Sequence, residues 1–243
     1  TQPPSYRAAA SRKTQLHRHY LSLLRSTPLM LLFQHNNVRA TEWVALRREL
    51  STQLAKLGLT DDPITPHIKV TILRNGVFDA AVKIADHFDK KDDPLHATSK
   101  KAYFKTYKRS HKLKALLSGP IGCVTFPDVS PEHLKVVMDL MFPAGKPMKG
   151  LDPAARQGLD KLILMAARVD GHVAGKMGKA EVMDRSKIAW VSALPGYEGL
   201  RSQIVAVLQT MGGGDLVRNL ESIPVGVVRT LDGHRKNMAG EFE

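Results

Sequence analysis

At 243 residues the chain has room for one large domain, or one domain with an appendage, and 43% hydrophobic content supplies a real core. It holds no apolar run of roughly 18 residues, so no helical membrane span is expected. Its single cysteine, Cys123, excludes an internal disulfide and a cysteine-based zinc site, and fits a reducing interior or an organelle matrix.

Lys+Arg 36 against Asp+Glu 23 leaves a net charge of +13. Such an excess points to a polyanionic partner, most often nucleic acid. An anionic membrane is the competing partner, but no segment is both strongly basic and strongly amphipathic. With aromatics at 6%, platforms for base stacking are scarce, so nucleic-acid contact is expected mainly through phosphates and shape.

Thr1 to Ala10 contains Pro and Ser and is expected to be extended or disordered. Ser11 to Leu24 reads as a basic helix with Leu16, Tyr20, Leu23 and Leu24 on its apolar face and Arg12, Lys13, His17 and Arg18 largely off it. Leu29 to Phe33, after Pro28, is a buried-type strand. Thr41 is the expected N-cap of the next helix, which carries Val44, Leu46, Leu50, Leu54 and Leu57 and stops near Gly58. His67 to Leu73 alternates polar and apolar residues through Ile68, Val70 and Ile72, the pattern of a half-buried strand; a helix follows from about Val77 to Phe88.

Asp89 to Lys114 changes texture, dense in Lys, Asp and His with Tyr103, Phe104 and Tyr107 interleaved. It reads as an insertion with its own helix, a solvated excursion, a basic surface for RNA or a neighbouring protein, or both at once. Lys105, Lys108 and Arg109 stand among lysines at near-helical spacing, and Tyr103 and Tyr107 form an i,i+4 pair. Gly119 to Phe126 is a strand entered through a Gly-Pro turn; Ser130 opens a helix through Phe142; Gly145 to Gly158 is read as loop. Leu159 to Val169 is strand-capable, with helix left open, and Ser186 to Val191 leads to Leu194-Pro195 and a helix from Tyr197. Gly212 to Gly214 then breaks the chain as a hinge.

One apolar word is written three times near the C terminus: Ile204 to Leu208, Leu216 to Leu220 and Val227 to Leu231. Their starts lie twelve and then eleven residues apart; eleven is about three helical turns, so Leu216, Leu220, Ile223, Val227 and Leu231 form one stripe, with Val217 and Val228 beside it. The stripe is either a row of equivalent docking sites or the inner face of a helix folded onto its own core. Pro224 and Gly226 are expected to interrupt the helix, with Pro224 opening a fresh segment.

Chemistry-bearing patterns are thin. His172 to Lys179 is one residue short of the phosphate-loop spacing and has Met177 where a hydroxyl is needed. The histidines show no metal-type pairing beyond His17-x-His19, whose members do not share a helix face. Cys123 sits inside an apolar strand, as a core residue does. A hydrolase or transferase using Cys123 or a histidine is the weaker rival; no catalytic residue, cofactor or metal site is assigned.

Four segments in order resemble large-subunit ribosomal protein L-ten: Val44 to Leu50, Val70 to Ala81, Leu117 to Phe126 and Val191 to Leu200. They are similar, in turn, to that family's Leu-Arg-x-x-Leu helix, its strand–Arg-Asn–helix element, its Gly-Pro strand and its Leu-Pro lead into the terminal helix. The resemblance spans roughly residues 13–236. Gly76 departs from the usual Thr, which weakens any hydroxyl role there, and the 89–114 insertion is absent from compact bacterial relatives. The expansions, the basicity and the long lead resemble mitochondrial members, so Thr1 is expected to follow a removed transit peptide.

The resemblance implies an α+β fold, a mixed β-sheet flanked by helices with a projecting C-terminal helical tail. It divides the chain into a flexible extension (1–12), an rRNA-binding domain (13–196) and a tail (197–243). It implies a place in the mitochondrial matrix, in the large ribosomal subunit, at the GTPase-associated centre of the rRNA beside ribosomal protein L-eleven. Its tail would carry dimers of the stalk protein L-seven/L-twelve, which recruits translational GTPases. Arg12, Lys13, Arg18, Arg74, Asn75, Lys105, Lys108 and Arg109 are then the candidates for rRNA, and Leu216, Val217, Leu220, Ile223, Val227, Val228 and Leu231 for stalk dimers. The alternative is an L-ten-like assembly factor that binds the same rRNA without stalk dimers, against which the three-word tail argues.

Overall fold

A computed structural model describes residues 3–57, 64–88, 94–143, 150–169, 172–173, 176–177, 181–210 and 215–239. The chain divides into two compact units, Thr1–Leu194 and Pro195–Glu243.

The first unit opens with α1 (Arg12–Ser26), β1 (Leu29–His35) and α2 (Ala40–Ala55). Then come β2 (Lys69–Leu73), α3 (Asn75–His87), α4 (Lys100–Thr106) and β3 (Ile121–Phe126). It continues with α5 (Pro131–Met141), α6 (Pro153–Leu159) and β4 (Leu162–Val169). A short pair, β5 (His172–Val173) and β6 (Lys176–Met177), precedes β7 (Glu181–Met183) and α7 (Arg185–Ser192). Five strands form one sheet in the order β2-β3-β1-β4-β7, antiparallel at every described pairing.

The composition of β1 follows from its place at the centre. Leu29, Leu31 and Phe33 enter a core shared with α2, α5 and α7, while Met30 and Leu32 enter a second core with α1 and α3. With helices on both faces, no position from Leu29 to Phe33 sees water, and an unbroken apolar run results. A bulge against β4 falls between Leu32 and Phe33. Gly122 of β3 makes room for Phe33: a Cβ there would sit 2.4 Å from the ring.

Several expectations are corrected. Thr41 lies inside α2 rather than capping it; the Glu42 carboxylate reaches back and accepts from the Arg39 amide at 2.9 Å. Helical phase turns Trp43, Leu46, Leu50 and Leu54 inward, so Val44 is left 65% exposed. Ile72 of β2 is exposed and Leu73 is buried instead. The stretch read as loop to Gly158 contains α6, which starts on Asp152 accepting from the Ala154 amide with Pro153 in the first turn, and packs on α2. Within the basic insertion, residues 89–93 lie outside the described residues, and α4 ends at Thr106. Ala97, Ala102, Thr106 and Leu113 are buried, so the described part is built into the body and is no solvated excursion.

The second unit holds α8 (Tyr197–Gln209) and α9 (Asp215–Ala239). α9 runs through Pro224 and Gly226, against the expected interruption. An interior proline loses one hydrogen bond and crowds the carbonyl four residues back, a cost of about 3 kcal/mol. The long helical ladder on either side outlasts that loss, since each further residue adds its own bond. The Gly212–Gly214 hinge lies outside the described residues.

Candidate nucleic-acid cleft and docking helix

The start of α3 is where the sequence motifs meet. The Arg74 amide donates to the Tyr20 hydroxyl of α1 at 3.0 Å, and Tyr20 packs edge-on against Phe78 at 5.8 Å. This fixes the turn between β2 and α3 against α1 and leaves the Arg74 side chain exposed. The Asn75 amide Nδ2 donates to the carbonyls of Gly119 (2.5 Å) and Leu117 (3.4 Å), tying the same turn to the Gly-Pro turn before β3. Gly119 holds that turn with φ +77, a conformation that favours glycine.

A cleft of about 480 Å³ opens beside this turn, walled by residues 5–7, α1, α3 and the insertion. Lys13 and Arg74, both sequence-chosen, line it together with Arg7 and Lys83. Asp79 is on the wall too. Burial works against its charge, but hydrogen bonds from Lys83 (2.7 Å) and His111 Nε2 (2.7 Å) outweigh burial and hold the carboxyl below its ordinary value. Among the described residues, Arg7, Lys13 and Arg74 face no acidic partner, so the cleft carries three unspent cations. His17 adds no charge at neutral pH, because burial pushes its pKa down. Three of the chain's five tyrosines complete the wall. Tyr6 stacks on Tyr103 at 4.9 Å between ring centroids, and Tyr107 leans on Tyr103 at 5.4 Å.

The N-terminal wall is held by hydrogen bonds: the Tyr6 amide to the Thr98 carbonyl at 2.9 Å, and the Thr14 hydroxyl to the Ala8 carbonyl at 3.0 Å. The other candidate cations lie elsewhere. Arg12 is exposed on α1, and Arg18 donates to the Pro3 carbonyl at 2.7 Å, lining a separate depression. Lys105 sits over the Phe88 ring at 5.5 Å; Lys108 and Arg109 are exposed just past α4. Sequence reasoning missed Tyr6, Arg7 and Lys83. No spacing signal joins Tyr6 to Tyr103, which lie about half the domain apart in sequence.

In the second unit, one continuous α9 puts Leu216, Leu220, Ile223, Val227 and Leu231 within an arc of about 80° at 100° per residue. Val227, Val228 and Leu231 are 52%, 58% and 64% exposed. The side chains of Leu216, Val217, Leu220 and Ile223 lie outside the described residues. On α8 the first word is open as well, with Ile204, Val205, Val207 and Leu208 all more than half exposed. Among the described residues these aliphatics form an apolar helical face that the chain itself leaves exposed.

Residues 197–236, which cover α8 and most of α9, match the family described as large ribosomal subunit protein uL10m C-terminal domain. Over these residues the chain is similar to mitochondrial uL10 proteins of the large ribosomal subunit, and the match supports that reading of the chain.

Proposed function

We propose that the chain is the base of the mitochondrial ribosomal stalk. The first unit grips large-subunit rRNA at the GTPase-associated centre, next to ribosomal protein L-eleven, through Lys13, Arg74 and the exposed cations around them. α9 carries dimers of the stalk protein L-seven/L-twelve, which recruit translational GTPases. The protein works by binding alone, in the mitochondrial matrix, and has no catalytic role.

The observation that carries this reading is the aliphatic stripe of α9, exposed where its side chains are described, inside the segment that matches the uL10m C-terminal domain. Burying one such side chain contributes about 1.5–3 kcal/mol, so the two or three of one word suffice to hold a partner helix. We expect one dimer on each of the words Leu216–Leu220 and Val227–Leu231. The test is Leu220→Asp with Leu231→Asp, which sets unpaired charge in both faces. The double variant is expected to bind rRNA as before, release stalk dimers and lose stimulation of the GTPases. Retention of stalk protein by the variant in a pulldown would refute the docking role.

A further inference from the structure

Composition distributes aromatics thinly over the chain; the fold gathers them. Tyr6, Tyr103 and Tyr107 come together on the wall of the cleft that also holds Arg7, Lys13 and Arg74. Tyr107 is 61% exposed, which leaves most of its ring uncovered beside three cations that face no acid among the described residues. At about 480 Å³ the cleft is far too small for a helix of RNA and in the range that takes one small ligand. Two of its walls are an N-terminal segment and an insertion, hydrogen-bonded to each other through Tyr6 and Thr98.

We propose that this cleft takes one unpaired nucleotide of the RNA, its base stacked on Tyr107 and its phosphate held by Lys13, Arg74 and Arg7. Aromatic rings bind bases of any identity, and guanidinium and ammonium groups supply the phosphate contact, so the site reads an extruded base by its being single-stranded. The Tyr6–Tyr103 stack braces the ring on which Tyr107 leans, and Asp79 is paired with Lys83 and hydrogen-bonded to His111, so its charge is offset beside the phosphate site. The proposal rests on the rRNA-binding reading and narrows it to one contact.

The test uses the full chain and fluorescence anisotropy with three probes: a labelled single-stranded oligoribonucleotide, a blunt RNA duplex, and 5′-AMP as unlabelled competitor. Tyr107→Phe is expected to bind the single strand like the parent. Tyr107→Leu and Tyr107→Ala are expected to lose about 5- to 150-fold toward the single strand and to leave the duplex unchanged, the span that one stacked base is worth. Because Tyr107 is largely exposed, these variants are expected to fold. Equal single-strand binding by Tyr107→Leu and the parent would overturn the stacking site while leaving duplex binding, and hence the rRNA reading, intact. Failure of the parent chain to bind either RNA would sink both. Competition by 5′-AMP as strong as by the oligonucleotide would overturn RNA as the ligand source.

Discussion

Gly122→Ala probes the centre of the fold. A Cβ at this position lies 2.4 Å from Phe33 Cζ and 2.6 Å from Cε2, distances real contacts do not reach. Phe33 has nowhere to go: it is 0% exposed and packs against Trp43 and Phe142, each 6.2 Å away between ring centroids. Forcing one methyl into such a site costs about 1–3 kcal/mol. At roughly 2–4 °C per kcal/mol for a chain of this size, a loss near 2 kcal/mol lowers the melting temperature of the first unit by about 4–8 °C. Circular dichroism melts read this directly. Gly76→Ala serves as the control, because a Cβ there meets nothing within 4 Å and alanine is the better helix former; its melting temperature is expected to stay or rise slightly. Adding Phe33→Leu to Gly122→Ala relieves the clash, so the double variant is expected to be more stable than the two single losses sum to, by about 0.5–3 kcal/mol. A Gly122→Ala protein that melts with the parent, or strictly additive losses, would refute the packing argument.

Three further outcomes follow from named contacts. Hydrogen bonds from Lys161 (2.6 and 2.8 Å), and then from the Arg39 amide, hold the Glu42 carboxyl below its ordinary value. Its contribution to stability is therefore present above the unfolded value near 4.5 and lost as pH falls through the lower folded value; urea midpoints of Glu42→Gln are expected to be lower than the parent's at pH 7 and to converge with them in acid. Arg74→Gln is expected to lower affinity for an rRNA fragment and to flatten the slope of log K against log salt by about 1, measured by filter binding across a salt series. Burial pushes the Cys123 thiol up to about 12, so a thiol reagent at pH 8 is expected to leave the native chain unlabelled and to find one thiol after denaturation.

The sequence spoke most clearly where one physical demand dominates. Leu29 to Phe33 announces a central strand because water is excluded from both faces. Leu216 to Leu231 announces a stripe because a helix repeats its face every three or four residues. It spoke less clearly where capping and small residues decide. Thr41 looked like the cap of α2, yet Glu42 supplies it from inside the first turn, in a half-buried ion pair with Lys161 that is far away in sequence. Asp152-Pro153 starts α6, but with glycine and proline around it the segment has too little apolar periodicity to be seen. The insertion buries Ala97, Ala102 and Thr106, which are too small to signal a core. The cleft was half legible. Lys13 and Arg74 stood out by charge and position, whereas Tyr6 and Arg7 join them through tertiary contacts, among them the hydrogen bonds from Tyr6 to Thr98 and from Thr14 to Ala8.

The central claim is that one chain joins ribosomal RNA to the stalk. Sedimentation velocity measures this most directly, on a mixture of an rRNA fragment covering the GTPase-associated centre, the chain and the purified stalk protein. The account predicts a single species that contains all three, with at least two stalk dimers per chain, and a boundary of free stalk protein when Leu220→Asp with Leu231→Asp replaces the parent. Stalk protein that sediments alone in the presence of the parent chain, while that chain travels with the RNA, would contradict it.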